Sequence, residues 1–322
     1  MKKIGNLLLS YNSALIVMNA LMLGIMGYLY AGFFSVFNLE VLAMGFITEA
    51  FMALGMTLAI IIGGIDLSIA SILPFTAILV GMQLNWFTSK GFPISLTIAI
   101  AVVVTLLAAM GVGLLNATLI NKLRVHPFII TLSMMLTLRG VNLVITDGGT
   151  VSGLPRAFGW LGQGYILGIP VPVALFAIVG PVLGYILANH RYVQQAYFIG
   201  GNLRSAQISG IDVPKFRVFV FMLSAALAGV AGIITASQYG AANMAYGQNA
   251  ELRVIASVVI GGTNLLGGSG TIAGTALGVL FLATVYNAFT WTGINTYWQE
   301  VIIGSMLLIA VFIGQFVRGR QR

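Results

Sequence analysis

The sequence predicts an all-α polytopic membrane protein of about ten transmembrane helices, with both termini cytoplasmic. Three observations lead there. Only 7% of the 322 residues are charged, against about 25% in a soluble domain, so a water-facing surface cannot be built. The mean hydropathy is +1.02. Apolar runs of about 20 residues, the length that spans a bilayer, recur along the whole chain. A soluble enzyme and a disordered chain are both excluded on these grounds.

The first run follows Met1-Lys2-Lys3 and continues to about Phe34 with no small-residue cleavage site, so it reads as an uncleaved first helix rather than a signal peptide. The candidate spans are about 13–35, 39–62, 67–87, 94–121, 126–146, 170–189, 216–239, 252–266, 271–292 and 297–317. The eighth is short and rich in glycine. The forty glycines suit close helix approach. With ten spans, Lys2, Lys3, Lys122, Arg124, Arg191, Arg204, Lys215, Arg217, Arg318, Arg320 and Arg322 fall on the side of the termini. Lys90, Arg156 and Arg253 fall on the other, and Arg139 lies within or near the outer half of the fifth span. This asymmetry makes the terminal side cytoplasmic. It also accounts for the net charge of +8 without nucleic acid.

The chain reads as one transmembrane domain over 1–322 with two long loops. The outer one, 147–169, is rich in glycine and proline and does not read as one regular helix. The inner one, 190–216, contains a stretch at 202–209 with mixed polarity at helical spacing, Asn202 placed as N-cap and Gly210 as terminal glycine. It reads as a short amphipathic helix at the cytoplasmic surface, floating in the headgroups or docked on a partner. One internal echo is present. Gly63-Gly64-Ile65-Asp66-Leu67 and Gly261-Gly262-Thr263-Asn264-Leu265 both suit a tight glycine-built turn with Asp66 or Asn264 capping the next helix.

Catalytic chemistry is nearly absent. No cysteine exists for a disulfide, thiolate site or nucleophile. No phosphate-cradling G-x-x-x-x-G-K-[ST] motif occurs, so ATP hydrolysis would lie on another chain. His126 and His190 fall at inner span ends and read as interfacial, and no Asp/His cluster suggests a metal. Ser269 in Gly268-Ser269-Gly270 is the sole candidate nucleophile of an intramembrane enzyme, with no histidine at membrane depth to activate it. Glu49, near the middle of the second span, either lines a polar pathway or is a buried protonated acid. Glu300 and Arg139 are explained by snorkelling. Asp66, beside Ser68, reads as a helix cap, with substrate contact as the alternative. Asn116, Thr118, Gln238, Asn287, Thr290, Trp291 and Gln299 suit either a route for a neutral hydroxylated solute or interhelical hydrogen bonding. Gly270, Gly274 and Gly278 share one helix face and form a packing ridge.

Five stretches then carry a family resemblance. They are Gly55-Met-Thr-Leu-Ala-Ile-Ile-Ile-Gly-Gly-Ile-Asp-Leu-Ser68; Pro127-Phe-Ile-Ile-Thr-Leu132 with Leu138-Arg-Gly140; Ile199-Gly-Gly-Asn202 through Ser209-Gly-Ile-Asp-Val213; Leu227-Ala-Gly-Val-Ala-Gly232; and Glu251-Leu-Arg-Val-Ile-Ala-Ser-Val-Val-Ile-Gly-Gly-Thr263 with Gly267-Gly-Ser-Gly-Thr-Ile-Ala-Gly274. Together they resemble the permease subunits of bacterial ABC importers for ribose, galactose, xylose and autoinducer-2. Ile69-Ala70 stands where that family usually has Val-Gly.

The resemblance implies a multi-pass protein of the bacterial cytoplasmic membrane that imports a monosaccharide or similar solute by alternating access. It implies a second permease chain, identical or paralogous, a cytoplasmic ATPase subunit holding ATP-Mg, and a periplasmic or lipid-anchored sugar-binding protein; this chain itself carries no cofactor. It makes the loop with Gly200, Gly201, Asn202, Ser205, Gly210 and Ile211 the element that couples to the ATPase. Glu49, Asn116, Asn287 and Trp291 are the pathway candidates. The competing readings are an ion-driven secondary transporter using Glu49, the intramembrane enzyme using Ser269, and a non-transporting scaffold.

Overall fold

The computed structural model describes residues 2–295 and positions 297, 298, 301, 302, 304, 305 and 308, with side chains from residue 12 onward. It is all-α apart from one short hairpin, Tyr165–Ile166 with Ile169–Pro170. Among the described residues, eight helices are long and apolar enough to cross a membrane: α1 (Lys2–Leu29), α2 (Val36–Ile61), α3 (Ile69–Ser89), α4 (Ile94–Leu123), α5 (Pro127–Thr146), α7 (Val171–Asn189), α10 (Val213–Tyr239) and α12 (Ile272–Thr292). The shorter helices are α6 (Trp160–Gln163), α8 (Arg191–Gly201), α9 (Leu203–Ile208) and α11 (Ala250–Ile260). Eight of the ten sequence-derived spans thus appear at nearly the expected limits. The span expected at 252–266 is instead the 11-residue α11, about 16 Å long and well under the roughly 30 Å of a bilayer core. The span expected at 297–317, with Gln299, Glu300 and the terminal arginines, falls largely outside the described residues.

Packing divides the chain into two compact units. One comprises residues up to Gly63, Gly180–Ser205 and the chain from Leu252; the other comprises Gly64–Val179 and Ala206–Glu251. In the second unit α10 packs along α4 and α3, and α3 also packs on α5. Within the span windows, α3 and α10 are each 67% buried but α4 and α5 only 22%, so the first pair forms the core of this unit and the second turns most of its apolar side chains outward. Backbone approach explains the seams of α10 with α3 and with α4. A Cβ on Gly232 would collide with the Leu73 carbonyl and the Thr76 hydroxyl, and one on Gly113 with the Phe221 carbonyl.

The loop at 147–169 is built as the glycine and proline content suggests, from a 3-10 turn (Arg156–Gly159), α6 and the hairpin. Val151 forms an antiparallel bridge with Ala242. From there residues 243–249 run alongside α3, where Gly247 abuts the Ala70 carbonyl. Residues after α10 therefore return into the helical core before α11 begins.

In the first unit α2 and α12 pack together and α1 packs on α12. The Thr57 and Thr275 hydroxyls, 2.7 Å apart and buried, join α2 to α12. Gly274 and Gly278 of the expected ridge lie against the backbone of Gly261 and Ser257. The echo sequences turn as expected, with Gly63 at φ +77° and Gly262 at φ +87°. Their acidic and amide residues do not cap the next helix, however. The N-cap of α3 is Ser68, and that of α12 is Thr271, whose hydroxyl accepts from Gly274 N. Asn264 instead closes its own loop, accepting from Leu266 N and donating to the Gly267 carbonyl, because α12 starts well downstream, after Thr271.

The seam yields a matched pair of substitutions. Gly232→Ala should lower the detergent melting temperature, with a destabilisation of about 1–3 kcal/mol from overpacking. Gly111→Ala, where a Cβ meets nothing within 4 Å, should leave it unchanged or raise it.

Candidate functional site

Beyond the Thr57–Thr275 pair, three further sets of polar residues are joined by hydrogen bonds or ion pairs, as an apolar surrounding that offers no partner demands. The first centres on Asp66, wholly buried in the second unit. One carboxylate oxygen accepts from the Ser68 hydroxyl at 2.5 Å and Ser68 N at 3.2 Å; the other accepts from the Ser224 hydroxyl at 2.8 Å. Asn116 donates to the Ser68 hydroxyl at 2.9 Å. Thr131 donates to the Ile65 carbonyl and Ser71 to that of Met135, which tie the start of α3 to α5. Asp66 is thus the hub of a buried network with Ser68, Ser224 and Asn116 rather than a cap. Asn116, expected as a pathway candidate, is wholly buried within it.

The second set lies at the start of α11. Arg139 pairs with Glu251 at 3.2 Å, so Arg139 has a defined partner and does not merely snorkel. Glu251 occupies the first turn of α11, where the helix dipole favours a carboxylate.

The third set lies in the first unit and gathers three of the four pathway candidates. Glu49 on α2 accepts from Arg253 Nε on α11 at 2.5 Å. Both line a cleft of about 320 Å³ with Val41, Leu42, Asn287 and Thr290. Asn38 and Asn287 exchange reciprocal amide hydrogen bonds of 2.8 and 3.1 Å, and Trp291 Nε1 donates to the Asn38 oxygen at 2.9 Å. Phe33 and Tyr30 pack on the Trp291 ring. Sequence reasoning misses Asn38 and Glu251 as site residues and reads Arg253 only as an outer-side charge. Asn38 lies one residue before the expected second span. The signal available in each case is position, a polar residue at the edge of an apolar run.

The expected coupling segment has a different local build. The N-cap at Asn202 is present, its oxygen accepting from Ser205 N at 2.9 Å. Gly210 closes the helix at φ +82°, with Ile211 N donating to the Ala206 carbonyl. The sequence does not reveal α8 ahead of it, which buries Val193, Ala196 and Ile199 on one face. At the end of α8, Gly200 is pressed on the backbone of Ile61 and Gly268: a Cβ there would overlap the Ile61 carbonyl, and Gly268 N donates to that same carbonyl at 2.8 Å. Tyr197 adds a hydrogen bond to the Gly270 carbonyl at 2.9 Å. Gly201 and Ser205, by contrast, are exposed. At the start of α10, the hydrogen bond from exposed Lys215 holds the Asp212 carboxyl below its ordinary pKa. Among the described residues no group of three or more His, Asp or Glu is arranged to hold a metal.

The Glu49–Arg253 pair makes a stability prediction. Arg253→Met leaves a mostly buried carboxylate without its cation and should destabilise by about 2 kcal/mol or more. Glu49→Leu/Arg253→Met should recover at least half of that loss in detergent melting; a double variant no better than the single one would deny the pair its energetic weight.

Comparison with known proteins places this architecture. Residues 37–311 match the family model described as branched-chain amino acid transport system / permease component. The ribose import permease protein of Haemophilus influenzae is 34% identical, the match covering 98% of this chain and 96% of the relative. Its counterpart in Escherichia coli is 36% identical over 91% and 90%. The L-arabinose ABC transporter permease protein of Azospirillum brasilense is 30% identical over 88% and 82%. No solved structure matches. With most of its length covered by the family model and nearly all of it by a full-length relative, the chain belongs to the family of transport-system permease components.

Proposed function

We propose that this chain is the membrane subunit of an ATP-driven, binding-protein-dependent importer of a monosaccharide. The near full-length similarity to ribose import permeases carries the reading. In this reading two permease chains form the pathway, and a cytoplasmic ATPase subunit supplies the ATP-Mg chemistry. A periplasmic or lipid-anchored protein selects the sugar. Both termini face the cytoplasm, and the pathway candidates Glu49 and Asn287 line the polar cleft of the first unit, with Trp291 bonded to Asn38 beside it.

The segment from α8 to Ile211 is the coupling element. Its physical support is a contrast along the segment. Gly201, Ser205 and Gly210 are open to a partner, while Gly200 sits backbone to backbone on Ile61 and Gly268. A push delivered at Gly201 therefore meets no compressible side chain before it reaches the end of α2. The cleft itself disfavours an ion-driven mechanism through Glu49, since that carboxylate is held by Arg253.

Two outcomes test this. Gly201→Trp or Gly210→Trp should leave ATP hydrolysis by the assembled importer measurable while sugar uptake falls at least about tenfold; wild-type coupling in both variants would remove this segment from the mechanism. A reporter enzyme fused after Arg322 should give the cytoplasmic signal, and a periplasmic one would break the proposed orientation.

A further inference from the structure

An ion pair among transmembrane helices is expensive, and intramembrane charges normally face a bundle interior or a water-filled cavity. In the first unit the Glu49–Arg253 pair stands at a cleft of about 320 Å³, a volume at the small end of ligand sites. Both side chains keep partial exposure, 12% for Glu49 and 22% for Arg253, so they are presented to the cleft rather than sealed between helices. Paired, the two have no net charge. They offer a carboxylate that accepts hydrogen bonds beside a guanidinium that donates them. Thr290 is exposed and adds a hydroxyl oxygen that accepts, its own proton directed to the Tyr286 carbonyl at 3.3 Å. Asn287 adds an amide held in place by Asn38. Val41 and Leu42 give the lining an apolar stretch, and Gly45 leaves room beside it, where a Cβ would meet nothing within 4 Å.

We propose that this cleft is a contact site at which the permease itself binds a neutral aldose during passage. This deepens the importer reading and rests on it. Vicinal hydroxyls of a sugar match alternating acceptors and donors, while the C–H face of the ring matches the Val41–Leu42 stretch. A sugar acid is disfavoured, because a second carboxylate would compete with Glu49 for Arg253. The contact is weak by construction: the cleft is open, and Arg253 already has a partner. The binding protein then sets affinity, while the cleft checks that the passing solute is an uncharged polyol.

The natural chain has no cysteine, so single cysteines report on the cleft without background. Thr290→Cys and Leu42→Cys, with Tyr28→Cys on the exposed side of α1 as control, are expressed with the partner subunits in membrane vesicles. A small charged methanethiosulfonate reagent is applied alone or with ~50 mM D-ribose, L-arabinose, D-gluconate or trehalose, a concentration well above a roughly millimolar Kd. Uptake of the two aldoses is measured in the same strains. We expect at least one imported aldose to slow labelling of both cleft cysteines about tenfold or more, as a concentration well above a millimolar Kd requires. Gluconate and trehalose should have no effect, and labelling of the Tyr28→Cys control should not change with any sugar. Adding Glu49→Gln with Arg253→Gln should abolish the protection. A cleft cysteine that never reacts, or one that no imported aldose protects, overturns the contact site while leaving the importer reading intact. Equal protection by gluconate overturns its preference for neutral solutes. Cells that import neither aldose, with no protection by either, end both readings together.

Discussion

Inside a membrane a polar group has no water to fall back on, and the interior of this protein is organised around that constraint. Asp66 is surrounded by hydroxyl donors, Asn38 and Asn287 satisfy one another, and two arginines are matched by two glutamates. Each set fixes a register between helices that apolar packing alone would leave loose, since lipid tails are as apolar as leucine. Asn38, Glu49, Ser224 and Asn287 lie on α2, α10 and α12, and Asp66 and Ser68 immediately precede α3; these four helices are the most buried of the long ones. Within each unit, polar pairing and burial therefore fall on the same helices.

Glycine supplies the complementary half of the argument. A bonded polar set needs helices at short separation, and the short separations occur where a Cβ is missing. Gly232 lets α10, which carries Ser224, lie on the α3 backbone, and Gly274 and Gly278 let α12 lie on the end of α11, which carries Arg253. Gly200 extends the same device to α8, onto Ile61 and Gly268.

The division between what the sequence discloses and what it conceals follows from range. Apolar runs, the Asn202 cap, the Gly210 terminus and the positive-φ glycines at 63 and 262 are local, and each is written within a few residues. Partnerships are not. Glu49 is visible as an anomaly, but its partner lies 204 residues away, at the edge of a weak apolar run. Asn38 reads as a flanking residue, and only its contacts with Asn287 and Trp291 make it part of the site. Asp66 and Asn264 look alike within their echo, yet one is a buried hub and the other closes a loop. Their surroundings differ in ways no five-residue motif records. Helix α8 lies inside the stretch at 190–216 that reads as a loop, and the contact that fixes its end, Gly200 on the Ile61 backbone, is likewise long-range.

The first unit also gives a physical route between α8, where the proposed coupling segment begins, and the cleft. A helix transmits displacement along its axis far better than it bends, so α2 acts as a rod. Ile61, at one end, carries the Gly200 and Gly268 contacts. Glu49 lies about 18 Å along the same helix. Thr57, between them, is bonded to Thr275 of α12, the helix that presents Asn287 and Thr290 to the cleft. A tilt imposed at Ile61 therefore moves α2 and α12 as a bonded pair, while Arg253 rides on α11, which meets α12 where Gly278 abuts Ser257. A relative shift of about 1–2 Å between α2 and α11 suffices to lengthen a hydrogen bond of 2.5 Å beyond its useful range. Under the coupling and contact-site proposals, one motion would push on the rod and loosen the ion pair that holds the sugar. Release would then be tied to the ATPase cycle without any residue of this chain changing its protonation state.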